Sequence, residues 1–116
     1  MVNETIQSLN WTVVQEQDKQ ILRLAGELSR HTLSALSQAV QQRTFLSAEK
    51  INKQNLVWDL SNLERIDSTG FALLCELLNI SKQQAESVRL IHIPEQITTL
   101  ADLFGLSDWF NTFLCH

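Results

Sequence analysis

The chain of 116 residues is long enough for one compact domain and too short for two. Its net charge of −4 and its nine scattered Lys and Arg residues exclude a nucleic-acid-binding surface, because phosphate recognition needs clustered basic side chains. No stretch approaches the roughly 20 apolar residues that span a bilayer, and the N-terminus lacks the basic region of a secretory signal. We therefore expect a single cytoplasmic domain, residues 1–116, that does not insert into a membrane.

The first part of the chain predicts a hairpin followed by a helix. Residues 11–16 and 20–25 are rich in apolar and β-branched side chains, and the polar residues 17–19 between them are typical of a turn. Residues 31–43 carry a narrow apolar stripe at helical spacing, and Ser29 is suited to cap that helix. The polar residues 44–55 are expected to connect this helix to the next strand.

The rest of the chain predicts two strands and three helices, each from its pattern of apolar residues. In chain order these are a buried strand over 55–60, a loop over 62–67, a helix over 69–85, a strand over 88–93, a helix over 95–104 with Gly105 as its C-cap, and a last short helix over 106–113.

The predicted order is β-β-α-β-α-β-α-α, which indicates an α/β fold. From the second strand onward, strands alternate with helices, and such units form parallel pairs with right-handed crossovers. The hairpin adds an antiparallel strand. We therefore expect a central mixed β-sheet with the helices packed on it.

The turn over residues 66–70 is the most informative stretch, because it places hydroxyl side chains at the start of a long helix. Asp67 is expected to cap the helix or to accept N–H bonds from the loop. The hydroxyl of Thr69 is interpreted first as a cap as well. A phosphoryl group on Ser68 would also be well placed, since a helix N-terminus favours negative charge.

The helix after this turn is apolar over a wider arc than one packing face requires. One stripe is Phe71, Leu74, Cys75 and Leu78, and a second is Leu73, Leu77 and Ile80. Together they cover about 220°, whereas a helix that packs on a sheet needs about 100°. The second stripe is interpreted either as packing on a neighbouring helix or as contacting another protein.

Nothing in the sequence indicates an enzyme. No nucleophile–base pair is evident, and three glycines do not supply a phosphate-binding loop. Cys75 and Cys115 lack the spacing of a redox or metal motif and are expected to be free thiols. We expect no cofactor and no metal.

Three segments resemble the STAS domain family, named for sulfate transporters and anti-sigma factor antagonists. They are the end of the second strand (residues 24–28, LAGEL), the buried strand with the three residues after it (residues 56–63, LVWDLSNL) and the turn with its helix (residues 66–74, IDSTGFALL). The third segment is the most specific. The resemblance implies the STAS fold and a non-catalytic interaction module.

Two branches of that family imply two functions. In the anti-sigma factor antagonists, a partner kinase phosphorylates the serine at the position of Ser68 and abolishes binding. The branch that this chain resembles more closely consists of small cytoplasmic subunits of an ABC-type phospholipid transporter, which maintains outer-membrane lipid asymmetry. Its members bind the ATPase subunit, and through it the permease, at the inner membrane. A nucleotide-binding regulatory domain is a third possibility, for which the sequence offers no phosphate cradle.

The resemblance to the transporter branch implies a docking surface around the turn. Its expected residues are Ser68, Thr69 and Gly70, followed on the helix by Leu73 and Leu77. The partner would be the ATPase subunit, which the chain would stabilise or regulate.

Overall fold

The computed structural model of the protein describes residues 9–41 and 54–114. The described elements, in chain order, are β1 (Leu9–Glu16), β2 (Lys19–Leu28), α1 (Leu33–Gln41), β3 (Asn55–Ile66), α2 (Ser68–Gln84), β4 (Ser87–Ile91), α3 (Glu95–Leu103) and α4 (Ser107–Asn111). This order agrees with the predicted one.

The four described strands form one mixed sheet in the order β1-β2-β3-β4. β1 pairs antiparallel with β2 across the turn at Gln17 and Asp18, where Gln17 adopts a positive φ of 51°. β2 pairs parallel with β3, and β3 pairs parallel with β4. The expected mixed sheet is therefore confirmed. The C-terminal ends of the parallel strands β2, β3 and β4 lie at the same edge of the sheet.

The core lies between one face of the sheet and the helices. Leu22 of β2 and Trp58 of β3 are register partners, and both are buried. The indole N–H of Trp58 donates to the hydroxyl of Ser81 on α2 at 3.3 Å, and that hydroxyl donates to the carbonyl of Leu77 at 2.8 Å. The indole N–H of Trp58 therefore has a hydrogen-bond acceptor inside the core, as a buried N–H requires.

β3 is longer than the sequence predicts. Residues 62–66, expected to form a loop, continue the strand to Ile66 and pair with the end of β2. Leu63 and Ile66 are buried there, although their exposed polar neighbours made the segment resemble a loop. Two register shifts in the β2–β3 pairing accommodate the extension, and no sequence pattern reveals them.

The first helix begins two residues later than predicted, at Leu33. The carbonyl of Ser29 accepts N–H bonds from Thr32 and Leu33, and its hydroxyl accepts from the N–H of His31 at 3.2 Å. The hydroxyl of Ser29 therefore accepts an N–H as predicted for a cap, in the turn that leads into the helix. The predicted end of this helix and most of the connection to the next strand, residues 42–53, lie outside the described residues, as does Cys115.

Within residues 9–41 and 54–114, no helix combines the length and apolar character needed to cross a membrane.

Asp59 of β3 makes the stability of the domain depend on pH. Burial alone would raise the pKa of this carboxyl. Hydrogen bonds from Ser61 and the Arg23 guanidinium, whose Nε lies 3.1 Å from Oδ2, outweigh burial and hold the pKa below its ordinary value. A lowered folded-state pKa stabilises the fold above the unfolded value of about 4, and this stabilisation is lost as the pH falls towards the folded value.

We therefore expect the free energy of unfolding to fall when the pH is lowered from 5 to about 3, in part through Asp59. Urea unfolding at a series of pH values measures this dependence. The Asp59→Asn variant should show a weaker dependence in that range. An unchanged pH profile in the variant would assign the effect to other carboxyls.

Candidate partner-binding site

Asp67 anchors the turn that opens α2. Its Oδ1 accepts the N–H of Gly70 at 2.7 Å, and its Oδ2 accepts the N–H of Arg30 at 3.2 Å. Its own N–H donates to the carbonyl of Leu28 at 3.3 Å. The capping role predicted for Asp67 is confirmed, and the prediction that Thr69 caps the helix is wrong. The contact with Arg30 also ties the turn to the segment after β2.

Ser68 and Thr69 form the exposed start of α2. Within residues 9–41 and 54–114, no hydrogen bond joins either hydroxyl to another side chain or to the backbone. The first N–H groups of a helix have no acceptor within the helix, and the Asp67 carboxylate satisfies that of Gly70. The turn therefore presents two small hydroxyl side chains and unused backbone donors to solvent.

Gly70 fixes the distance between this turn and β2. A Cβ atom at this position would lie 1.9 Å from the carbonyl oxygen of Leu28, far inside van der Waals contact. Gly70 is also buried. Gly70 lets α2 approach the strand, and it offers a partner no side chain.

Gly70→Ala should destabilise the fold or displace the turn. The clash is with backbone that Asp67 also holds, so no flexible side chain can move aside. We expect a loss of about 3 kcal/mol, the upper end of the range for overpacking. Urea unfolding measures it. Thr69→Ala, one residue away and exposed, should change the stability by no more than about 0.5 kcal/mol. Equal stability of both variants would contradict the role given to Gly70.

The wide apolar arc of α2 is mostly explained by packing within the domain. Leu77 is 1% exposed and belongs to the core, so the domain itself covers this side chain. Leu73 is half-buried and packs against the core from the side. Ala72 and Glu76 are exposed on the outer face. Of the expected apolar docking residues, only Leu73 reaches the surface.

Cys75 is half-buried on the same helix, and burial raises the pKa of its thiol to about 11. At neutral pH the thiol is protonated, and a protonated thiol is a poor nucleophile.

Sequence reasoning missed the buried carboxylate of Glu27 next to the turn. Glu27 is 2% exposed, and its Oε2 accepts the hydroxyl of Ser29 at 2.6 Å. Its Oε1 lies 3.6 Å from Nη1 of Arg65, its register partner on β3. This ion pair joins the ends of the two strands that carry the turn. The sequence signal is the LAGEL segment, residues 24–28, in which Glu27 is a charge inside an otherwise apolar strand end.

Sequence reasoning also missed an exposed apolar cluster beside the turn. The ring of Phe71, in the first turn of α2, stacks on Phe104 with centroids 5.8 Å apart, and on Phe110 with centroids 5.3 Å apart. Phe104 nevertheless remains 52% exposed, and the adjacent Leu103 is 74% exposed. The end of α3 therefore contacts the first turn of α2 through Phe71 and leaves an exposed apolar surface there.

The fold and this turn define the class of the protein. Residues 11–114 match the family model described as "Mlab, STAS domain". The chain therefore belongs to the STAS domain family, in agreement with the three sequence segments that indicated it.

Two relatives within that family are similar to the chain over most of its length. The chain is 48% identical over 106 residues to the intermembrane phospholipid transport system binding protein MlaB of Haemophilus influenzae, a match that covers 91% of this chain and 99% of that protein. It is 32% identical over 100 residues to the MlaB of Escherichia coli, covering 86% and 91% of the two chains.

A solved structure supports the fold alone. The anti-sigma factor antagonist SpoIIAA in its unphosphorylated form superposes with a TM-score of 0.60 at 16% identity, covering 91% of this chain and 86% of that one. The predicted STAS fold is therefore confirmed.

Proposed function

We propose that the chain is a non-catalytic subunit of an ABC-type phospholipid transport system, where it binds the ATPase subunit and through it the permease. The observation that carries this proposal is the 48% identity, over nearly the full length of both proteins, to a protein named as a binding protein of such a system. In this role the chain stabilises the assembled transporter and regulates ATP hydrolysis. It lies in the cytoplasm, peripheral to the inner membrane.

The surface proposed to contact the ATPase is the start of α2, which comprises Ser68, Thr69, Ala72 and Leu73. The first two side chains are small and exposed, so a partner can approach the unused backbone donors closely. Leu73 adds a half-exposed apolar side chain beside them. Because Asp67 and Gly70 hold the turn against β2, this surface is ordered before a partner binds, which lowers the cost of association.

Affinity purification from the native cytoplasm tests the proposal. A tagged chain, expressed at its normal level, should recover an ABC-type ATPase together with an integral permease. Recovery of a serine kinase or a sigma-factor regulator, without the transporter subunits, would contradict it.

Phosphorylation of Ser68 is a second proposal, which the position of this residue favours. Ser68 is exposed and is the first residue of a 17-residue helix, where the helix dipole stabilises negative charge. A phosphoryl group there would leave the fold intact and place charge in the middle of the contact surface. In this alternative the chain acts as an anti-sigma factor antagonist that serine phosphorylation controls. Mass spectrometry of the native protein that finds no phosphate under any growth condition would count against it.

A further inference from the structure

The two edges of the sheet differ in how they are covered. β4 forms one edge, and its Leu90 pairs with Leu114 and donates its N–H to the carbonyl of Phe113 at 2.8 Å. β1 forms the other edge, and among the described residues no strand other than β2 pairs with it. An edge strand of this kind offers a row of backbone donors and acceptors to another strand.

β1 lacks the features by which edge strands usually avoid such pairing, which are proline, bulges, lysine and short length. Its eight residues, LNWTVVQE, contain no Pro, Gly, Lys or Arg, and its single charge, Glu16, lies at its end. The register with β2 is unbroken from Leu9–Gly26 to Glu16–Lys19. β1 is therefore a long, regular and nearly uncharged edge.

Two neighbouring valines expose apolar surface on both faces of β1. Val13 pairs with Leu22, which is 1% exposed, so Val13 lies on the face of the sheet that carries the core. Val14 pairs with Ile21 and lies on the opposite face. The two valines are 48% and 42% exposed. Because neighbouring strands lie about 4.8 Å apart, a further strand beside β1 would cover both side chains.

We infer that β1 pairs antiparallel with β1 of a second copy of this chain, which joins two four-stranded sheets into one of eight strands. The pairing is two-fold symmetric and centred on Val13, which lies opposite Val13 of the second copy. Thr12 then lies opposite Val14 of the second copy. Directly paired residues share a face, and this register satisfies that condition at every position.

The charges and side chains of β1 suit a second copy in this orientation. Each Glu16 lies opposite Asn10 of the other chain, at opposite ends of the paired strands, whereas parallel pairing would set the two carboxylates side by side. Within its own chain, Glu16 is paired with Lys19, whose Nζ lies 3.6 Å from Oε1. The β-branched residues Thr12, Val13 and Val14 form favourable cross-strand pairs with one another. The interface therefore buries no unpaired charge.

The length of β1 indicates a weak dimer. Its eight residues span about 27 Å, and a contact of one strand pair lies at the low end of interface sizes, below about 1,200 Å². We expect a dissociation constant of about 10–100 μM. β2 separates β1 from the strands on which α2 packs, β3 and β4, so the dimer leaves the start of α2 exposed. The inference goes beyond the proposed function and does not depend on it.

Sedimentation velocity of the purified chain alone, from about 1 to 500 μM, tests the inference. The wild-type chain should pass from monomer to dimer over this range. Val13→Lys sets two ammonium groups opposite each other and should weaken dimerisation about tenfold or more. Leu103→Lys is the matched control, a 74% exposed apolar residue outside β1, and it should dimerise like the wild type. Far-UV circular dichroism should stay native for both variants.

Cross-linking by cysteine tests the register and does not require a charged variant to fold. In a chain whose Cys75 and Cys115 are replaced by serine, Val13→Cys should form a disulfide-linked dimer under mild oxidation. Directly opposite Cα atoms lie about 4.5–5.5 Å apart, within the range that a disulfide bridges. Val14→Cys is the control, because the two residues 14 would be diagonal neighbours, about 7–8 Å apart, and should cross-link far less.

Three results would overturn the inference. The first is a wild-type chain that stays monomeric up to about 500 μM. The second is a dimer that Leu103→Lys weakens and a natively folded Val13→Lys does not. The third is equal cross-linking of the two cysteine variants, or none in either. Since the ATPase subunit is absent from these experiments, failure of the proposed function would leave their results unchanged.

Discussion

Replacement of Leu77 by lysine is expected to unfold the chain. Leu77 is 1% exposed, and its carbonyl accepts the Ser81 hydroxyl that in turn satisfies the indole of Trp58. A lysine ammonium at this position would have to lose its hydration without gaining a partner, at a cost comparable to the whole stability of a domain, about 5–15 kcal/mol. Far-UV circular dichroism and urea unfolding measure the effect.

Two further variants distinguish core from surface on the same helix. Leu77→Ala, which only removes volume, should cost about 2–5 kcal/mol. Ala72→Lys is the matched charged control, since Ala72 is exposed and the variant should keep the native fold. A native spectrum and wild-type stability for Leu77→Lys would show that Leu77 faces outward, and its assignment to the core would be wrong.

Ser68→Glu is expected to weaken binding to the ATPase subunit by about 100-fold. The fold should be unaffected, because Ser68 is exposed and a carboxylate in the first turn of a helix interacts favourably with its dipole. Binding suffers because a partner that covers the turn would bury the new charge without a matching counter-charge. Isothermal titration calorimetry with the purified ATPase subunit measures the change.

The control for this variant keeps the size of the side chain small. Ser68→Ala removes the hydroxyl without adding a charge, and its affinity should stay within about tenfold of wild type. If Ser68→Glu binds as tightly as wild type, the turn does not lie in the interface.

The sequence predicts the order of the elements and the position of the turn because those features depend on local patterns. The apolar run over 55–60, the polar turn at residues 17–19 and the helical spacing after Gly70 each indicate their element directly. The three segments that resemble the STAS family then indicate how the strands are arranged in the sheet.

The errors arise where distant residues decide the outcome. Asp67 and Thr69 are both candidates for the helix cap, and the choice depends on the end of β2 and the segment after it, which supply the carbonyl of Leu28 and the N–H of Arg30. The extension of β3 to Ile66 likewise depends on pairing with β2 across register shifts. A single segment does not contain this information.

The expected docking residues also show that a local pattern does not determine which side chains are buried. A helical wheel gives the width of the apolar arc of α2, but it does not show that Leu77 lies in the core while Leu73 reaches the surface. Nor does the pattern of α3 show that Leu103 and Phe104 remain exposed, since their spacing is also that of core residues. Tertiary packing decides each case.

Hydrogen exchange on the chain, alone and bound to the purified ATPase subunit, tests most directly whether the start of α2 is the contact surface. We expect complex formation to slow exchange of the backbone amides of residues 68–73, while the amides of the β1–β2 hairpin exchange at an unchanged rate. Protection of the hairpin with no change at residues 68–73 would contradict the proposal that the ATPase binds at the start of α2.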